Sequence, residues 1–157
     1  MADTLSIQEI IERAIQFEEE SVQLYANAAL VAKDGHVGAR LEEMAAEERT
    51  HAEKLRALLD TNIRWAIRKS RAERGTIPDL QLAETLRPRQ LGPDSDAQDV
   101  MVVAMHREKA AYDFYRAMTG LVDDSMARGL FELLAAEEQQ HKYRIESMYE
   151  KAVYKAF

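Results

Sequence analysis

Four glutamates and two histidines stand where a helical protein should bury aliphatic side chains. Glu18, Glu48, Glu108 and Glu138 each fall in register with Leu, Met and Ala on an apolar stripe of helical period. Two of the stripes carry a histidine three residues further on, in Glu48-Arg49-Thr50-His51 and Glu138-Gln139-Gln140-His141. That spacing projects both side chains from one helix face toward a common point. An ionised carboxylate withdrawn from water is costly unless something compensates it, so four on core stripes call for positive charge. Hard carboxylate oxygens with imidazole nitrogens suit iron or manganese, and four carboxylates neutralise two divalent cations. In this reading Glu48 and Glu138 bridge the metals, Glu18 and Glu108 are terminal ligands, and His51 and His141 give one nitrogen each. Six protein ligands leave coordination positions open for dioxygen or hydrogen peroxide.

An internal repeat strengthens the reading. A single offset of 90 residues carries Glu18 onto Glu108, Tyr25 onto Tyr115, Glu48 onto Glu138 and His51 onto His141. It also lays Ala45-Ala46-Glu47-Glu48 on Ala135-Ala136-Glu137-Glu138 without a gap. Tyr25 and Tyr115 either pack in the core with the hydroxyl satisfied locally or hydrogen-bond a ligand carboxylate, and the second is the expectation here. Glu47 and Glu137 point about a third of a turn away from the bridging residues, which suits the surface or a supporting contact better than ligation. His106 falls on the far side of its helix from Glu108, and His36 sits in a turn; neither is assigned a metal role.

The elements that must position these residues are four long amphipathic helices. The first runs from about Ser6 to Lys33, with Ser6 and Glu9 forming a capping box and Lys33-Asp34-Gly35-His36 closing it. The second begins near Gly38 and either breaks at Asp60-Thr61-Asn62 or continues to Arg74 with Gly75 as its cap. An irregular stretch, about 76–98, holds Pro78, Pro88 and Pro93, with room for a short helix around Asp79–Leu86. The third helix starts near Ser95 or Asp96 and stops at Gly120; the fourth, capped by Asp124 or Ser125, runs to about Tyr154. The pattern predicts an all-α four-helix bundle of two antiparallel hairpins joined by a long crossover. As a single domain over 1–157, it comprises a hairpin at 6–59 or to 74, a crossover at 75–95 and a hairpin at 96–154.

Composition excludes several alternatives. With no cysteine the sequence offers no disulfide, thiolate zinc site, iron–sulfur cluster or rubredoxin-type iron. The formal charge of −7 argues against a nucleic-acid-binding surface. No apolar run approaches the length of a membrane span, and the start, Met1-Ala2-Asp3-Thr4, lacks a basic-then-apolar leader, so a cytoplasmic protein without membrane contact is expected. The run Arg64, Arg68, Lys69, Arg71, Arg74 reads as a solvated face, and Trp65 as packing on the crossover or a partner subunit.

These motifs resemble the ferritin-like superfamily, and most of all its rubrerythrin-type branch. Phe17-Glu18-Glu19-Glu20-Ser21-Val22-Gln23-Leu24-Tyr25 is similar to that branch's first-helix motif, repeated from Glu108 to Tyr115. Met44-Ala45-Ala46-Glu47-Glu48-Arg49-Thr50-His51 and Leu134-Ala135-Ala136-Glu137-Glu138-Gln139-Gln140-His141 resemble its Glu-Glu-x-x-His motifs. The resemblance implies a ferritin-like bundle with two iron ions, or manganese, that reduces hydrogen peroxide or dioxygen, in a homodimer or larger homo-oligomer. The alternative within the same class is ferroxidase activity and iron storage or handling. Lacking cysteine, the chain departs from members with a rubredoxin domain and would take electrons from a separate donor protein. Ala111 stands where those members carry an extra Glu associated with redox-linked movement of one iron. Arg49 stands where bacterioferritin has its haem-ligating Met, so no haem is expected.

Overall fold

A computed structural model describes residues 7–33, 35–60, 79–92, 94–122 and 125–155. Its helices are α1 (Ile7–Val31), α2 (Gly35–Asp60), the short α3 (Leu82–Thr85), α4 (Ala97–Leu121) and α5 (Ser125–Lys155). No strand occurs among the described residues. α1 packs along α2 and α4 along α5, forming the two expected hairpins. Each pair lies antiparallel to its neighbour: Tyr25, late in α1, meets Ala104 and Glu108, early in α4, whereas Tyr115 meets Glu18.

The apolar stripes generate this packing. In α5, Leu130, Phe131, Leu134 and Ile145 recur at helical spacing and are all buried. The buried side chains form two clusters. One gathers Ile10, Ile11, Ala14, Leu55, Tyr115, Phe131 and Leu134; the other gathers Tyr25, Leu41, Met44, Met101, Met105 and Ile145. Along every long helix the acidic residues of interest fall between these clusters, so each is flanked by an apolar layer above and below. Burying each large aliphatic side chain contributes about 1.5–3 kcal/mol.

Several boundaries differ from expectation. α2 begins at Gly35 rather than near Gly38, which places His36 in its first turn instead of a loop. Gly120 does not end α4; the helix runs one residue further, and Val122 turns extended. The Asp96 cap is present as a full capping box, its carboxylate accepting from the Asp99 N–H and the Asp99 carboxylate from the Asp96 N–H. The expected Ser6 and Asp124 caps, the question of a break after Asp60, the basic run and Trp65 all lie outside the described residues.

The described part of the crossover is pinned at both sides of α3. Lys142 Nζ, on α5 and buried, donates to Asp79 Oδ1 (2.7 Å), Glu84 Oε2 (3.3 Å) and Glu146 Oε1 (3.1 Å). Glu146, also fully buried, accepts the backbone N–H groups of Leu82 and Ala83 through Oε2, satisfying donors at the start of α3. Gln81 enters α3 with φ of 56°, held by its N–H to Asp79 Oδ1. On the other side His106 Nε2 meets the Leu86 carbonyl at 2.5 Å, which accounts for this histidine away from any metal site. Leu82, Ala83 and Leu86 thereby close over the cluster around Tyr25 and Met101.

Candidate metal centre

All six residues singled out by spacing meet in the middle of the bundle, none more than 4% exposed. The helices bring them there from four directions: Glu18 from α1, Glu48 and His51 from α2, Glu108 from α4, Glu138 and His141 from α5. They form two overlapping groups. Glu18, Glu48, His51 and Glu138 offer donor atoms within 4.8 Å of one another, as do Glu48, Glu108, Glu138 and His141. Glu48 and Glu138 belong to both groups. Their oxygens divide accordingly: Glu48 Oε2 lies 3.1 Å from His51 Nδ1 and its Oε1 lies 2.8 Å from His141 Nδ1. Glu138 Oε1 lies 2.7 Å from His51 Nδ1, and its Oε2 3.9 Å from His141 Nδ1. Glu18 Oε2 faces the first imidazole at 3.6 Å and Glu108 Oε2 the second at 3.5 Å. The two imidazoles stack across the pseudo-dyad, nearly parallel, with centroids 5.6 Å apart.

Outer contacts follow the same two-fold pattern. Tyr25 of α1 donates its hydroxyl to Glu108 Oε1 of α4 at 2.5 Å, and Tyr115 of α4 donates to Glu18 Oε1 of α1. The tyrosines therefore make the expected carboxylate contacts, but crosswise between hairpins. Glu47 and Glu137 also cross: His51 Nε2 meets Glu137 Oε2 at 2.5 Å, and His141 Nε2 meets Glu47 Oε2. Sequence reasoning missed Arg107, which lies 3.8 Å over the Phe17 ring and donates to Ser21 Oγ and the Phe17 carbonyl. Arg107 and Phe17 are themselves related by the 90-residue offset, a signal that the two positions face each other across the dyad.

The electrostatics show what the site needs. Burial, then the bond with Glu48, pushes the Glu18 carboxyl up to about 8, and burial with the charges of Glu108 and Glu48 raises Glu138 well above the usual range. Burial alone would raise Glu48 too, but bonds from Glu18, His141 and His51 outweigh it and hold it well below. Burial disfavours both imidazolium ions, yet the charge of Glu138 beside His51 and of Glu108 beside His141 raises both histidines well above 6.5. Burial and the adjacent carboxylates raise the Tyr25 and Tyr115 hydroxyls, which therefore stay protonated donors.

Even so, Glu18 Oε2 and Glu108 Oε2 are buried without a hydrogen bond, and Glu138 Oε1 and Glu47 Oε2 lack a well-aligned one although a histidine nitrogen lies beside each. Orphaned oxygens this deep in a core demand a partner. Two cations, one in each group, would supply it: the donor set, its burial and its doubling all fit a metal pair.

A helical bundle with paired, buried Glu and His clusters defines the carboxylate metal-pair class of ferritin-like proteins. The family model described as Rubrerythrin matches residues 9–149, so the chain belongs to the rubrerythrin family, within the ferritin-like di-iron superfamily. No curated protein matches the chain. Among solved structures, a hypothetical protein from Pyrococcus furiosus is similar in fold, with a TM-score of 0.63 and 23% identity over 93% of this chain and 89% of that one. No described helix is long and apolar enough to cross a membrane.

Proposed function

We propose that the protein is a non-haem di-iron oxidoreductase that reduces hydrogen peroxide or dioxygen, with electrons from a separate donor. The observation that carries this reading is the doubling of the donor set: two groups of four residues share Glu48 and Glu138 and no others. One metal would be held by Glu18 and His51, the other by Glu108 and His141, and Glu48 and Glu138 would serve both. Manganese in place of iron fits the same donors. When bound, a ferrous pair supplies two electrons and Lewis acidity toward an O–O bond.

The chain's own residues do the rest. Two apolar layers exclude bulk water from the carboxylates and strengthen every charge interaction between them. Tyr25 and Tyr115 hold one oxygen of each terminal carboxylate, which leaves the other oxygen aimed inward. Reduction of hydrogen peroxide to two waters consumes two electrons and two protons. The sequence holds no cysteine to build an iron–sulfur or rubredoxin-type relay, which supports electron delivery by a separate donor.

The test is stopped-flow oxidation of the anaerobically reduced, iron-loaded protein. Peroxide should oxidise the centre much faster than dioxygen does, and a faster reaction with dioxygen would count against peroxide as the substrate. Solution mass separates this reading from iron storage: a homodimer or tetramer encloses no cavity for mineral, whereas a hollow shell of many subunits would overturn the oxidoreductase proposal.

A further inference from the structure

The crossover grips the bundle beside one half of the metal centre and not the other. Lys142 follows the ligand His141 on α5, and its ammonium, on a side chain 1% exposed, donates to Asp79, Glu84 and Glu146. Glu146, one turn further on, accepts the N–H groups of Leu82 and Ala83 at the start of α3. The strap from Asp79 to Leu86 is thus fastened to the helical turn that leaves His141. Its second attachment is apolar: Ala83 is buried in the cluster around Tyr25, with Leu82 and Leu86 packed against it. Tyr25 in turn donates to Glu108. Both attachments lead to ligands of one metal position, the one formed by Glu108 and His141. The position at Glu18 and His51 has neither. Under the 90-residue offset Lys142 falls on Ala52, and Glu146 on Arg56, which reaches Glu19 at the surface. Among the described residues, none from the crossover joins the cluster around Tyr115.

We infer that Lys142 and Glu146 are positioning residues: they fasten the crossover beside one metal position, so that the closed strap and a cation at Glu108 and His141 stabilise each other. This rests on the metal-pair reading of the six inner residues. Buried opposite charges are stable only while each keeps its partners. Without the strap, Lys142 and Glu146 meet water and their helical turn is free to move. His141 begins that turn, so its imidazole is no longer held in place. Tyr25 loses the side chains that cover its cluster, which loosens its hold on Glu108. Such a coupling is reciprocal: whatever factor the closed strap adds to metal affinity, the metal adds to closure of the strap. The position at Glu18 and His51, which lacks both attachments, is the internal control.

The experiment uses zinc(II) as the probe, with amide hydrogen exchange and imidazole NMR signals as the readouts. Loading wild type with zinc should slow exchange of the Leu82 and Ala83 N–H groups, which donate to Glu146, about fivefold or more. Asp79→Asn combined with Glu84→Gln weakens two anchors on exposed side chains and leaves the Lys142–Glu146 pair in place. In that variant, zinc titration should show binding at His141 weakened by about the same factor and binding at His51 unchanged. An equal loss at both histidines, the result of a merely structural strap, would overturn the inference, as would no loss at either. If the variant does not fold, the wild-type exchange comparison decides alone. Wild type that binds two zinc ions without protecting Leu82 and Ala83 refutes this inference only. Wild type that binds no zinc refutes the metal-pair reading itself.

Discussion

Loading the metal-free protein with two divalent cations should expel protons from the site, and fewer of them as the pH rises. Burial, together with the bond to Glu48, places the Glu18 carboxyl at about 8, so it is largely protonated at pH 7. Glu138 is shifted the same way, by burial and by its acidic neighbours. The carboxylates around His51 and His141 raise both imidazoles well above 6.5 despite their burial, which favours the protonated rings. Ligation needs the carboxylates ionised and the imidazoles neutral, so protons leave as the metal pair binds, about one of them from Glu18 at pH 7. At pH 9 Glu18 has already ionised and the release falls by about one proton. Anaerobic titration of the apoprotein with ferrous or zinc ion, in weak buffer with a pH indicator, counts them directly. Release of fewer than about one proton per pair at pH 7 would refute the reasoning, because the ligands would then be ionised without metal. The same shifts set a stability trend. Between pH 4.5 and 8 the folded apoprotein holds a proton on Glu18 that the unfolded chain has lost, so its stability falls as pH rises through that window. His51 and His141 act in the same direction from 6.5 upward, and bound metal should flatten the slope.

Further outcomes can be checked by substitution. Lys142→Met leaves Glu146 buried with only the Leu82 and Ala83 N–H groups, which should cost about 3 kcal/mol in urea unfolding and expose the crossover to protease; a loss under about 0.5 kcal/mol would contradict the clamp. Tyr25→Phe and Tyr115→Phe each remove one hydrogen bond to a carboxylate and should destabilise the metal-loaded protein by about 1.5–3 kcal/mol in thermal unfolding. The two losses should be similar, as the repeat requires, and a cost for one residue alone would break the symmetry argument. Glu48→Ala or Glu138→Ala should abolish binding of both metals, whereas Glu18→Ala should spare the site at Glu108 and His141. Full stoichiometry retained in Glu48→Ala, measured by metal analysis, would contradict the bridging role.

The inner site was legible because its residues violate the rule that fills a helix stripe with aliphatic side chains, and because one offset repeats the violation. Glu18 among Ile11, Ala14 and Tyr25 cannot be explained as surface, and Glu108 among Met101, Ala104 and Tyr115 says the same again. Contacts between helices were less legible, since register across a bundle is set by packing and not by spacing within one chain segment. The sequence puts Glu47 beside Glu48; that it serves His141 rather than solvent emerges only when α2 lies against α5. The crossover clamp was hidden for a different reason. Glu146 follows the core face of α5, but its counterpart under the repeat is Arg56, which reaches Glu19 at the surface. The symmetry that exposed the metal ligands thus pointed away from Lys142 and Glu146, which serve a segment present only once.

Anomalous diffraction at the iron edge from anaerobically loaded crystals tests the metal pair most directly. Two peaks of similar height should appear in the bundle centre, one between Glu18 and His51, the other between Glu108 and His141, with Glu48 and Glu138 touching both. A single peak, or none within coordination distance of those six side chains, would contradict the account.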